Sequence, residues 1–195
     1  MASVAGIVLA GGTSTRFGSD KLRASYRGRP LLHHAIERVA EVSDDVVVVM
    51  SPKADRGDLP AGARLAHDST EGEGPLAGLH AGLLAAVRSD VAIVVAGDMP
   101  DIPSAVLKTL IDAVDPGGAD AAALVVAGRP APLPIALRTW PAADAVHTLL
   151  HAGRRRLGDV IDAMAAAVID EERWTALDPE RRSVFDVDEP TDLER

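Results

Sequence analysis

The sequence predicts an α/β fold, a three-layer sandwich with helices on both faces of a mostly parallel sheet. Three observations support this. Residues 6–10, 46–49 and 91–96 are apolar runs without the polar alternation of a half-exposed strand. Parallel strands covered on both faces have that composition. Helical patterns separate the runs, and such alternation marks βαβ units with right-handed crossovers. Finally, the loop 9–21, Asp68 and Asp98 all follow candidate strands. The carboxyl ends of those strands share one rim, where open α/β sheets bind ligands. No internal repeat or linker interrupts the pattern, so residues 1–195 are expected to form one domain.

The first strand leads into Gly11-Gly12-Thr13-Ser14-Thr15-Arg16-Phe17-Gly18-Ser19-Asp20-Lys21. Glycines suit a backbone that turns sharply or approaches a ligand closely. Residues 22–29 read as a short extended excursion that turns at Gly28. Pro30 opens a helix, since proline is favoured at its first position. Leu32, Ala35, Ile36 and Val39 form the apolar face of that helix. His33 and His34 are adjacent and diverge by about 100°, so they read as surface or helix-end groups. A strand over 45–50 ends at Ser51-Pro52, and a shorter one over 64–68 ends at Asp68. Pro75 opens a helix through Val87 in which Gly78 and Gly82 lie one turn apart. Each mid-helix glycine costs about 1 kcal/mol against alanine, which points to close approach to the sheet or to a ligand.

The strand over 91–96 enters Gly97-Asp98-Met99-Pro100. A helix over 103–114 and a strand over 121–126 follow. Pro130, Pro132 and Pro134 then predict an edge or irregular strand over 128–137. A helix over 142–151, the run Arg154-Arg155-Arg156, a helix through Ala166 and an acidic tail complete the chain.

Composition narrows the function. Hydrophobic residues make up 47 % of the 195 and aromatics only 3 %, so a sizeable core is built from small and branched aliphatics. The net charge of −9 disfavours nucleic acid and anionic membranes as partners, and any bound anion must be held by local cations and amides. Without cysteine, disulfides, thiolate metal sites and a Cys nucleophile are excluded. No apolar run approaches the roughly 20 residues of a membrane span. Met1-Ala2-Ser3-Val4 places no basic segment before an apolar one, so a cytoplasmic location is expected.

The amides of the first loop can face an anion, and Arg16 and Lys21 add positive charge there. The loop therefore reads as a phosphate-binding loop. It is not a P-loop, because Ser19-Asp20-Lys21 follows Gly18. It is not the dinucleotide fingerprint either, because its glycines fall at 11, 12 and 18. A structural turn with two solvated cations is the alternative. Asp98 stands where ligands bind, although a lone Asp there also serves as a turn or cap residue. The three arginines read as a solvated helix start or as a cationic patch for an anionic substrate.

The order Leu-Ala-Gly-Gly-x-x-x-Arg-x-Gly-x-Asp-Lys over 9–21 resembles the signature loop of nucleotidyltransferases that act on sugar phosphates and cofactors. Within them it is most similar to the molybdenum cofactor guanylyltransferases, the MobA family. Gly74-Pro75-Leu76-Ala77-Gly78-Leu79 resembles the family's loop-to-helix segment near the nucleoside. Gly97-Asp98-Met99-Pro100 resembles its metal-binding turn. The tail resembles the family's closing Asn-x-Asn-Thr-Pro-Glu-Asp-Leu, with Asp186 and Asp188 in place of both asparagines. Ser51 stands where the family often has Asn, and Phe17 where it often has Met.

The resemblance implies a Rossmann-like nucleotidyltransferase fold and transfer of GMP from GTP to the molybdopterin-type molybdenum cofactor. It implies catalytic roles for Arg16, Lys21 and Asp98. It implies nucleotide contacts from Leu9, Ala10, Gly11, Gly12, Lys21, Ser51, Asp68 and Gly78. Mg²⁺ is implied on Asp98, with Asp186 or Asp188, of which Asp188 is the choice, as a further ligand. The implied partners are GTP, the molybdenum cofactor and, transiently, proteins that deliver or accept that cofactor. The nearest rival is a cytidylyltransferase for the same cofactor or another small phosphorylated substrate. A non-catalytic nucleotide- or cofactor-binding protein is the rival from a different class, and the presence of both Lys21 and Asp98 argues against it.

Overall fold

A computed structural model describes residues 2–11, 20–52, 54, 57, 59–68, 74–114 and 118–194. Its strands are β1 (Val4–Leu9), β2 (Ser25–Tyr26), β3 (Arg29–Pro30), β4 (Asp45–Met50), β5 (Ala63–His67), β6 (Val91–Ala96), β7 (Ala121–Val126), β8 (Arg129–Arg138) and β9 (Ala166–Ile169). Its helices are α1 (Leu31–Ala40), α2 (Pro75–Ala85), α3 (Ser104–Asp112), α4 (Thr139–His151), α5 (Gly158–Ala163) and α6 (Glu171–Leu177).

A seven-stranded sheet has the order β5-β4-β1-β6-β8-β7-β9. Its neighbouring pairs are parallel except the two that β8 makes. Side chains alternate between the faces of a strand. Val46, Val48, Ile93 and Val95 accordingly pack with α1, α3 and the buried Trp174 of α6 on one side. Ile7, Val47, Val49 and Val94 pack with α2, α4 and α5 on the other. Both faces are dry, so neither set of alternate residues can be polar, and the strands read as unbroken apolar runs. The small β2–β3 hairpin stands apart from the sheet and packs Tyr26 against Leu31 and Val187.

Three expectations change. The proline-bearing strand is irregular, but it is not an edge: β8 lies between β6 and β7. Its partner β6 bonds only from Ile135 to Arg138, past the prolines. Pairing with β7 shifts register between Ala123 and Val125, which accommodates the proline half. The helix expected through Ala166 stops at Ala163, and residues 166–169 form β9 beside β7. Alanine-rich sequence favours helix locally, but the unpaired edge of β7 offers a hydrogen-bonding ladder that overrides it. His34 is not a surface group. It is buried in α1, with Nε2 2.7 Å from the carbonyl oxygen of Tyr26.

The two glycines of α2 have different surroundings. A Cβ at Gly82 would lie 2.7 Å from Ile7 Cγ2 and 3.1 Å from Val49 Cγ2, both on buried strands. At Gly78 the nearest atoms would be 3.8 and 4.0 Å away, which is ordinary contact. Overpacking costs about 1–3 kcal/mol, whereas Gly→Ala in a helix gains about 1 kcal/mol. Gly82→Ala should therefore lower the urea midpoint and Gly78→Ala should hold or raise it. The same order reversed would contradict the packing of α2 on β1 and β4.

Candidate functional site

Backbone hydrogen bonds past the strand ends lace one rim together. The Ala10 amide donates to Val49 O at 2.8 Å, the Asp68 amide to Met50 O at 2.9 Å and the Gly97 amide to Leu9 O at 2.9 Å. These bonds hold the carboxyl ends of β1, β4, β5 and β6 side by side. Leu9, Ala10, Gly11, Ser51, Asp68 and Asp98 sit on or directly after those ends. Gly11 is placed so that a Cβ would lie 3.8 Å from the Ser51 amide nitrogen. Gly78, in the first turn of α2, faces Asp68: a Cβ there would be 4.0 Å from its Oδ2. Gly12 and Arg16 lie outside the described residues.

Lys21 opens a 3₁₀ turn, Lys21–Arg23, capped by the Asp20 carboxylate, which accepts from the Leu22 amide at 3.2 Å. The Lys21 ammonium lies 2.7 Å from Asp98 Oδ2 and 3.4 Å from Asp188 Oδ1, and donates to Val187 O at 3.0 Å. The Val187 amide in turn donates to Asp98 O at 3.0 Å. Loop, strand-end turn and tail thus meet at one point. The Lys21 and Asp98 side chains are only 17 % and 19 % exposed. Burial pulls the Lys21 pKa down, but hydrogen bonds and charge from Asp98 and then Asp188 outweigh it and the net shift is upward. The ammonium therefore stays charged. Loss of water, then the negative charges of Asp188 and Asp98, raise the Asp186 carboxyl above its ordinary value, with Lys21 pulling the other way.

The sequence reading missed Asp101. Its carboxylate accepts from the Tyr26 hydroxyl at 2.7 Å and the Arg27 guanidinium at 3.0 Å, and Arg182 lies at 3.5 Å. One carboxylate three residues after Asp98 therefore gathers the arm that follows Lys21 and the tail that precedes Val187. A single tyrosine in so aromatic-poor a chain was the available signal. The arginine run divides. Arg154 pairs with Asp159. Arg155 turns its carbonyl to the Leu76 amide at the start of α2, 3.4 Å away. Arg156 donates its amide to Asp159 at 3.3 Å. The run holds α5 and α2 in place through these contacts, and its guanidinium groups are exposed.

A mostly parallel sheet whose carboxyl rim carries a lysine–aspartate pair has the layout of a nucleotidyltransferase. The comparisons agree. Residues 6–168 match the MobA-like NTP transferase domain, and the chain belongs to that family. It is 34 % identical to a probable molybdenum cofactor guanylyltransferase of Chloroflexus aggregans, over 97 % of this chain and 91 % of that protein. It is 32 % identical to the molybdenum cofactor guanylyltransferase of Desulfosudis oleivorans, over 100 % and 95 %. Among solved structures, molybdopterin-guanine dinucleotide biosynthesis protein A of Archaeoglobus fulgidus superposes with a TM-score of 0.81 at 26 % identity, covering 98 % of this chain and 95 % of that one.

Tyr26 reports on this arm. Burial, followed by its bond to Asp101 and that group's charge, pushes its hydroxyl up to about 12, against smaller opposing effects of Arg27 and Arg182. An unfolded tyrosine titrates near 10. Between those values the unfolded chain has released a proton that the folded chain keeps, so this contribution to stability is complete below about pH 10 and is lost as pH rises towards 12. Tyr26 is the sole tyrosine, so absorbance at 295 nm follows it alone. We expect a midpoint near 12 while circular dichroism shows a folded chain. A native midpoint near 10 would remove the Tyr26–Asp101 bond.

Proposed function

We propose that this chain transfers GMP from GTP to the molybdopterin-type molybdenum cofactor, with release of pyrophosphate. The observation that carries this is the Lys21–Asp98 pair on the rim between β1 and β6, in a chain whose relatives named guanylyltransferases span nearly its whole length. Residues 1–195 act as one catalytic domain on small molecules in the cytoplasm, with transient contact to proteins that deliver or accept the cofactor. No helix among the described residues is long and apolar enough to cross a membrane.

The roles follow from position. Leu9, Ala10, Gly11 and Gly12 carry the backbone past the triphosphate, and Ser51, Asp68 and Gly78 line the nucleoside side. Arg16 and Lys21 face phosphate oxygens. An ionised phosphate oxygen of the cofactor attacks the α-phosphorus of GTP, a new P–O bond forms, and the bond to the bridging oxygen of pyrophosphate breaks. The attacking group is already an anion, so no general base is required. Repulsion between anions is the main barrier, and the chain lowers it by fixed positive charge and amide donors.

Asp98, with Asp188, would hold Mg²⁺. Among the described residues no three His, Cys, Asp or Glu side chains are grouped to hold a metal by themselves. A pair of carboxylates leaving positions for water and phosphate is how Mg²⁺ is usually held, and the oxygen-only donor set suits it. When bound, Mg²⁺ neutralises charge on the phosphates.

Asp98→Asn should fold normally and lose roughly 10²-fold or more in turnover, the scale of removing a major electrostatic stabiliser. Lys21→Ala should lose both triphosphate affinity and rate, with some stability, because it also unties the tail. Normal turnover and Mg²⁺ dependence in Asp98→Asn would exclude that residue from the mechanism.

Single-turnover transfer with each of four triphosphates tests the base. A pocket that hydrogen-bonds O6, N1 and N2 of guanine is left with unpaired polar groups by other bases and rejects them strongly. We expect GTP to be favoured by orders of magnitude over ATP and CTP. Added bulk at Gly78 should weaken nucleotide binding more than added bulk at Gly82, although a Cβ is accommodated more easily at Gly78. A preference for CTP would instead establish the cytidylyl reading.

A further inference from the structure

Away from the rim, α2 and α4 gather three histidines on their outer surface. His147 and His151 are both exposed, with ring centroids 4.4 Å apart and Nε2 atoms 3.1 Å apart. His80 of α2 lies with its ring 5.8 Å from that of His147. None of them takes part in the site already described. His147 and His151 are four residues apart in one helix, so they occupy the same face one turn apart.

We propose that His147 and His151 form a chelating site for a borderline-soft divalent cation such as Ni²⁺, Zn²⁺ or Cu²⁺, bound through both Nε2 atoms and completed by water. Metal–nitrogen bonds of about 2.0–2.1 Å at a tetrahedral angle set two ligand nitrogens about 3.3 Å apart. The observed separation is close to that, so chelation needs little rearrangement. A proton shared between the two Nε2 atoms accounts for the hydrogen-bond distance, and a metal ion takes its place by accepting both lone pairs. Imidazole selects this class of cation over Mg²⁺, which prefers oxygen. The site is thus chemically distinct from the carboxylates of the rim. His80 lies beside His147 without sharing its helix, ring to ring at 5.8 Å. Among the described residues no three metal-ligating side chains are grouped to hold an ion, so the protein supplies two ligands and the ion exchanges readily.

The test is calorimetric titration of the untagged full-length protein with Ni²⁺ alone, at pH 8, with excess Mg²⁺ present to occupy the oxygen ligands. One Ni²⁺ should bind per chain. His147→Ala and His151→Ala should each weaken it by at least about tenfold, the scale on which even outer-shell partners matter. His80→Ala should leave the affinity unchanged. Both substituted side chains are exposed, so the variants should fold, and circular dichroism checks this. Absence of saturable binding in the wild type, or undiminished binding in the double variant, would overturn the proposal. A loss in His80→Ala as large as that in His147→Ala would overturn the two-ligand assignment.

Discussion

An ammonium that has lost most of its water needs carboxylates beside it, and the site is arranged around meeting that need for Lys21. Asp98 stands at 2.7 Å and Asp188 at 3.4 Å. The three residues come from the first loop, the end of β6 and the tail. They can meet because β1 and β6 run parallel in register, with Leu9 opposite Ala96, so the loop and the acidic turn leave the sheet together. Val187 then fixes the tail, its carbonyl accepting from Lys21 and its amide donating to Asp98.

This meeting point is held from behind by packing that leaves little slack. A Cβ on Gly97 would lie 3.0 Å from Leu32 Cδ1, 3.3 Å from Leu22 Cδ2 and 3.4 Å from Leu9 O. A side chain at Gly97 would force these neighbours to shift, so glycine lets the Asp98 turn press closely on α1 and on the arm that carries Lys21. Asp101 then joins that arm to the tail through Tyr26, Arg27 and Arg182. The buried trio Tyr26, Leu31 and Val187 fills the space between them. The position of Lys21 is therefore a property of three chain segments and not of the loop alone.

How much of this was legible in the sequence depended on how local the cause was. The parallel strands could be read because burial on both faces removes polar residues from Val46-Val47-Val48-Val49 and from residues 91–96. That Lys21 and Asp98 lie on the same rim could be read because motif and strand-end position coincide. Residues 166–169 could not: Ala166-Ala167-Val168-Ile169 becomes a strand only because β7 offers an edge. The interior place of β8 was hidden because its prolines describe only the half that lies beyond β6. Asp101 was hidden because its importance comes from three donors that are distant in sequence. His34 read as a surface or helix-end group, and its burial was hidden because nothing local shows the Tyr26 carbonyl that satisfies it.

The carboxylates of the rim compete with phosphate for the same ammonium. Lys21 is the cation there among the described residues, and it faces Asp98 and Asp188 together. Among the described residues, the carboxylates of Asp98 and Asp188 outnumber that one ammonium. The Lys21 ammonium is committed to those carboxylates. On the proposed reading, Asp98 and Asp188 would hold a divalent cation, whose positive charge would weaken their hold on Lys21. The ammonium can then turn its charge to phosphate without leaving its place between the loop and the tail. The same two carboxylates would thus compete with phosphate for Lys21 when bare and leave its charge to phosphate when they hold metal.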